Sequence, residues 1–254
     1  MTTVQDILDY IETLAPMSYK MDWDNVGFQC GSRNAQVRKI LVALDPFEHV
    51  CKEASEIGAD LLITHHPLIF RPLSAITDDD AITRGIIHLC ANGISAISAH
   101  TNLDCADGGV NDVLARVLQL TNVEIIGSEH LLRAGFYDSS IEYFLTHVKT
   151  VLGCQGLRFV DGGKPVHKVA VGGGSCAGAL HEVIAAGCDT FVTADPSYNA
   201  FWDAKERGIN LIDAGHFYTE NPVCDYLVQK LHAQFPDITV AKSEIHHDCM
   251  NFFK

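Results

Sequence analysis

Leu61-Leu62-Ile63-Thr64-His65-His66-Pro67-Leu68-Ile69-Phe70 is an apolar run that ends abruptly at two adjacent imidazoles. Leu61, Leu62 and Ile63 follow Gly58-Ala59-Asp60 without polar alternation, which predicts a strand buried on both faces, as in a parallel sheet. Pro67 cannot donate to a ladder or continue a helix, so the chain leaves the sheet at the His pair. In open α/β sheets ligands gather at the carboxyl ends of the strands, where the loops converge on one crevice. His65 and His66 are therefore candidate metal ligands. The competing reading is one imidazole that caps the loop and one that is merely exposed.

Working outward, Lys39 to Leu44 (KILVAL) reads as another buried strand, followed by a helix from about Phe47 to Ile57. After the His pair, Asp78-Asp79-Asp80 suits a helix start, and Asn92-Gly93 suits the helix end, with Gly as a left-handed cap. A third strand, Ile94 to Ser98, runs into Ala99-His100-Thr101-Asn102-Leu103-Asp104. The order strand, helix, strand then recurs. Laying Lys39 on Lys168 brings Glu53 onto Glu182, Gly58-Ala59-Asp60 onto Gly187-Cys188-Asp189, and Thr64 onto Thr193 without a gap. With a shorter spacer, Gly93-Ile94 falls on Gly208-Ile209 and SAHTNLD on AGHFYTE. His100 then faces His216, and Asp104 faces Glu220. This predicts an internal duplication, with a first α/β module over 1–125 and a second over 126–254 that includes a short bridging segment. In that bridge, Ser139-Ser140 caps a helix carrying Ile141, Phe144, Leu145, Val148 and Val151, and a strand lies near Leu157 to Val160. Thr2-Thr3 caps an N-terminal helix with Val4, Ile7, Leu8, Ile11 and Leu14 on one face.

Composition excludes several function classes. A chain of 254 residues can bury a substantial core, and a mean hydropathy of +0.10 fits a globular protein. No apolar run is long enough to span a bilayer, and MTTVQDILDY lacks a basic flank and an apolar signal core. The nine cysteines form no CxxC pair and are odd in number, as expected of reduced thiols. These features predict a cytoplasmic protein. A net charge of −14 without a Lys/Arg run argues against a nucleic-acid surface, while leaving small polar substrates open.

Two copies of a strand-end His followed four residues later by a carboxylate, together with His65-His66, form a set of imidazoles and carboxylates without thiolates. Such ligands suit zinc, iron or manganese in an open, catalytic site. A fold class follows: α/β, two similar duplicated modules with mostly parallel strands, and a metal site in the cleft between them. A pair of ions needs a bridging carboxylate, and Glu220 or Asp104 can serve.

The ordered motifs DWDNVGFQCG, ADLLITHHPLIF, ISAHTNLD, VGGGS and DAGHFYTE resemble those of the Nif-three-like family, also known as GTP cyclohydrolase I type 2 homologues. The resemblance spans nearly the whole chain. It implies a dinuclear centre with two divalent metal ions per subunit and a homohexameric ring. Its metal ligands fall on His65, His66, Asp104, His216 and Glu220, with Glu220 as the bridge, His65 and Asp104 on one ion, and His66 and His216 on the other. The implied activity is a metal-dependent hydrolase acting on GTP, another nucleotide-like molecule or a small polar substrate. The alternative is a metal-binding scaffold or regulatory protein without catalysis.

Other residues carry weaker expectations. His100 lies outside the implied ligand set and is the candidate catalytic acid or base, or else orients Asp104. Similar proteins read Thr-Gly-Asp and then His, where this chain has Thr193-Ala194-Asp195 and then Asn199, so a substrate role for that loop does not carry over. The large domain that longer relatives insert between the halves is absent. Gly172-Gly173-Gly174-Ser175 is either an anion cradle or a tight turn. Trp23 reads as a packing anchor, Glu182 as a solvated helix position, and His246-His247 as a polar surface stretch.

Overall fold

The computed structural model describes residues 1–253. Its strands are β1 (Gly27–Cys30), β2 (Lys39–Ala43), β3 (Leu61–Thr64), β4 (Ser95–Ser98), β5 (Thr121–Ile126), β6 (Leu132–Ser139), β7 (Arg158–Val160), β8 (Val166–Val171), β9 (Thr190–Thr193), β10 (Asn210–Asp213) and β11 (Thr239–Lys242). They form two sheets in two compact units. Residues 1–106 and 224–247 make the first unit, and residues 107–223 with those from 248 onward make the second.

The first sheet has the order β1-β4-β3-β2-β11, in which β11, β2, β3 and β4 are parallel and β1 is antiparallel. Leu61 to Thr64 is buried at every position, as a central parallel strand requires. Leu41, Ala43, Leu62 and Ala96 point to one face and share a core with Val50, Cys51 and Ala54 of helix Glu48–Glu56 and with Ile86 and Leu89 of helix Ala81–Ala91. Asp80 caps the latter helix by accepting from the backbone N–H of Ile82 and Thr83. Thr3 and Asp6 form a capping box at the start of helix Val4–Leu14.

The second sheet has the order β5-β6-β8-β9-β10-β7. Parallel β8, β9 and β10 form its centre, and the outer pairings are antiparallel. Strand periodicity splits the central residues between two faces. Val169, Val171, Val192 and Ile212 pack with Phe144 and Val148 of helix Ile141–Leu152, while Ala170, Phe191 and Leu211 pack with Val183 and Ala204.

The repeat extends to register and to individual hydrogen bonds. Ile40 lies opposite Leu61 as Val169 lies opposite Thr190, and Leu61 lies opposite Ser95 as Thr190 lies opposite Asn210. Asp60 accepts from the N–H groups of Arg38 and Lys39 at 2.8 and 3.1 Å, and Asp189 accepts from those of His167 and Lys168 at 3.0 and 2.8 Å. Lys39 donates its Nζ to Ile57 O as Lys168 does to Ala186 O. The expected division at 125/126 differs from the observed one. Helix Val110–Val117 and β5 belong to the second unit, and β11 completes the first sheet by pairing with β2. β11 (Thr239–Lys242) was not among the strands expected from the sequence.

Candidate metal centre

Strand ends place the candidate ligands. His65 and His66 follow β3 directly, while His100 lies two residues beyond β4 and caps the one-turn helix Thr101–Cys105. That helix was not foreseen, and it explains the H-x-x-x-D spacing, because the N–H of Asp104 donates to His100 O and stacks the two side chains one turn apart. The second unit repeats the device after β10 with helix His216–Glu220, where His216 Nε2 stands 3.0 Å from Glu220 Oε2.

Within the first unit, His65, His66 and His100 each bring a ring nitrogen within 4.8 Å of the others, a grouping that can hold a metal ion. His65 Nε2 also lies 3.5 Å from Asp104 Oδ1. His65 is fully buried, and Glu220 is only 4% exposed. Burying a charged group at either position is costly unless the charge is compensated or a cation is coordinated.

Every one of these imidazoles is held by its Nδ1. His65 Nδ1 meets the carbonyl of Ala99 at 2.8 Å, His66 Nδ1 meets Asp45 Oδ1 at 2.7 Å, His100 Nδ1 meets Asp24 Oδ1 at 2.9 Å, and His216 Nδ1 meets Asp195 Oδ2 at 2.7 Å. A carbonyl or ionised carboxylate only accepts, so Nδ1 is the donor in each of these bonds, and the bond fixes the orientation of the ring and of its Nε2. The carboxylates are ionised. Burial pushes Asp24 up, but hydrogen bonds from His100 and Thr101 outweigh it and hold the carboxyl at about 2. Burial likewise opposes Asp45, and the His246 and His66 hydrogen bonds hold it well below the usual range. Burial raises Asp195, while Ser175 and His216 bring it below its ordinary value. Sequence reasoning did not assign Asp24, Asp45 or Asp195. Their signal was each imidazole's need for an acceptor, and Asp195 occupies the place in the second copy that His66 holds in the first.

The glycine loop resolves toward space rather than anion binding. The N–H of Gly173 donates to Asn111 Oδ1 at 2.7 Å and that of Gly174 to Thr219 Oγ1 at 3.0 Å, so both are committed to protein acceptors. A Cβ at Gly173 would press on Glu220 Cγ, and one at Gly174 would collide with Glu220 Oε1 and stand 3.1 Å from His216 Nε2. Gly174 also has φ of +61°. These glycines make room for the His216 and Glu220 side chains.

Three expectations are corrected. Trp23 is 62% exposed and meets Phe70 and His100 edge-on instead of anchoring a core. Glu182 is half-buried and accepts from the N–H of Ser128 at 3.0 Å, so it is no solvated bystander. His246 is 7% exposed and bonded to Asp45, while His247 is the exposed member of the pair.

A cluster of imidazoles such as His65, His66 and His100 fits a divalent transition-metal cation. The Duf34/NIF3 (NGG1p interacting factor 3) family model matches residues 2–249. A Clostridium perfringens protein named GTP cyclohydrolase 1 type 2 homolog is 37% identical over 90% of both chains, and a Clostridium acetobutylicum protein of the same name is 36% identical over 90% of this chain and 89% of its own. Among solved structures, a Bacillus cereus protein related to NIF3 superposes with a TM-score of 0.92 at 25% identity, covering 100% of this chain and 99% of that one. With two similar α/β units, strand-end imidazoles and a match over almost its full length, the chain belongs to the Duf34/NIF3 family.

Proposed function

We propose that the protein is a hydrolase dependent on two divalent metal ions, with His65, His66 and Asp104 of the first unit and His216 and Glu220 of the second as ligands and Glu220 as the bridge. The observation that carries this reading is the common orientation of the imidazoles. Each gives Nδ1 to an acceptor, which fixes the direction in which its Nε2 points, as second partners of metal-binding imidazoles do. When bound, the ions would supply Lewis acidity that activates water for attack on an electron-poor carbon. Asp45 and Asp195 hold the His66 and His216 rings, while Ala99 O holds His65. His100, ordered by Asp24, moves a proton at Nε2 and is the catalytic acid or base.

The substrate class is a nucleotide-like or other small polar molecule, and the relatives' name makes GTP the first to test. The family resemblance supports a homohexamer. The nine cysteines form no CxxC pair and are odd in number, which supports a reducing, cytoplasmic setting. Among the described residues, no helix is long and apolar enough to cross a membrane.

Protein loaded with excess zinc, iron or manganese should bind about two ions per chain, as a two-metal ligand set requires. A His100→Gln variant should keep both and lose ~100-fold or more in hydrolytic rate, the usual contribution of a proton-transfer group. One ion or none in the wild type would overturn the dinuclear reading. Loss of an ion from His100→Gln would make His100 a ligand instead. Two tightly held ions with no hydrolysis across a nucleotide panel would favour the scaffold reading.

A further inference from the structure

Beyond the candidate ligands, a hydrogen-bonded chain of titratable side chains runs through the first unit. His66 Nδ1 meets Asp45 Oδ1 at 2.7 Å, Asp45 Oδ2 meets His246 Nε2 at 2.8 Å, and His246 Nδ1 meets His49 Nε2 at 3.2 Å. Asp45 spends one oxygen on each neighbouring imidazole. Its carboxylate plane, and with it the direction of the acceptor offered to His66, is therefore set from the far side by His246. A carboxylate held by one bond can swing about its χ2, whereas one held through both oxygens cannot without breaking a bond.

The segment carrying His246 is firmly built. The N–H of Ser243 donates to Val42 O at 2.8 Å, extending the β11–β2 ladder. The buried carboxylate of Glu53 accepts from the N–H of Glu244 at 2.9 Å and from the Ser243 hydroxyl, and Ser243 Oγ accepts from the N–H of His246 at 3.2 Å. The ring of Phe47 lies edge-on to His246, with centroids 5.9 Å apart, and stacks on His49 at 6.1 Å. A histidine fixed by its backbone, by both ring nitrogens and by an aromatic neighbour is more constrained than a solvated tail residue would be.

We propose that His246 is a positioning residue for the metal centre, fixing the Asp45 carboxylate so that His66 presents Nε2 in one orientation. The proposal rests on the reading of His66 as a metal ligand. It assigns the C-terminal segment a part in cation affinity without contact with the cation.

Cobalt(II) is the probe, since its visible absorption reports ligand geometry independently of catalysis. Titration of the full chain with Co2+ should give two ions in the wild type and a weakened one in His66→Ala. His246→Leu removes the donor to Asp45 and should weaken one ion ~10-fold, the low end for loss of a ligand's supporting hydrogen bond, with a changed visible band. His246→Gln keeps an N–H near the Nε2 position and should restore affinity to within ~3-fold and recover the band, as retention of that hydrogen bond predicts. His246→Asn, whose amide reaches only the Nδ1 position toward His49, should resemble His246→Leu and replaces it if that variant fails to fold. An affinity in His246→Leu or His246→Asn equal to wild type, or equal losses in the Gln, Leu and Asn variants, would overturn the proposal while leaving the metal reading intact. If His66→Ala itself binds Co2+ like wild type, the metal reading falls and this proposal with it.

Discussion

At the scale of single residues, the sequence offered the candidate ligands more readily than the groups that hold their rings. His65, His66, His100, Asp104, His216 and Glu220 stood out as candidates because strand-end position and four-residue spacing are local properties of the chain. Asp24, Asp45 and Asp195 were not, since each meets its imidazole across 76, 21 and 21 residues respectively. His246 was misread for the same reason, its partner Asp45 being 201 residues away. Gly174 was singled out, but its purpose depends on where Glu220 lands. A methyl group at Gly174 must displace the Glu220 carboxylate or the His216 ring and must also adopt φ near +61°. Gly174→Ala should therefore lower metal affinity by ~10-fold or more, comparable to loss of a supporting contact, and cost about 1–2 kcal/mol from the left-handed backbone. Equilibrium dialysis and urea unfolding measure the two effects separately. Glu220→Gln should weaken both ions with a smaller effect on the fold. Unchanged affinity in that variant would remove Glu220 from the bridge.

At the scale of elements, the repeated strand-helix-strand order was readable because buried parallel strands are continuous apolar runs, and the aligned positions coincide with strand register. The short helices Thr101–Cys105 and His216–Glu220 escaped notice, being a single turn set by strand-end geometry rather than by an amphipathic repeat. Outer strands were equally hard to see: β5 is exposed at five of its six positions and carries no buried-strand signature. The paired Asp60 and Asp189 clamps make a test of the repeat. Each closes the start of one parallel strand with a carboxylate from the start of the next, accepting two backbone N–H bonds. Asp60→Ala and Asp189→Ala should each destabilise by about 1–3 kcal/mol, the cost of stranding partly buried donors. Asp189→Asn, which keeps one acceptor oxygen, should recover part of the loss. Chemical denaturation at unchanged m-value is the measurement. A change within about 0.5 kcal/mol for either alanine variant, typical of an ordinary surface substitution, would show that its clamp is not a stabilising part of the repeat.

At the scale of the whole molecule, the fold class followed from the sequence because two apolar strand series and their turns are written locally. The partition did not, because residues 224–247 join the first unit through pairing of β11 with β2, a contact about 200 residues apart in the chain. The net charge of −14 is a further whole-molecule property, and it bears on stability. Acidic side chains repel one another in the compact state, and buried carboxylates such as Glu220 add to the cost of folding around them. A divalent cation that binds the native protein and not the unfolded chain offsets that cost by mass action, by about 2.7 kcal/mol per site at a free concentration of 100 Kd. Saturating zinc or manganese should therefore raise the thermal midpoint, and EDTA should reverse the shift. Raising salt alone would lessen the charge repulsion but should not reproduce an EDTA-reversible rise, because screening does not require ligand atoms. His66→Ala should reduce the increment and Glu220→Gln should reduce it further, since the second substitution removes the proposed bridge. Glu182→Gln, remote in role from the ligands, should keep the full increment even if its lost contact with Ser128 lowers the starting midpoint. Equal increments in the ligand variants and the wild type would assign the stabilisation to nonspecific cation binding on an acidic surface.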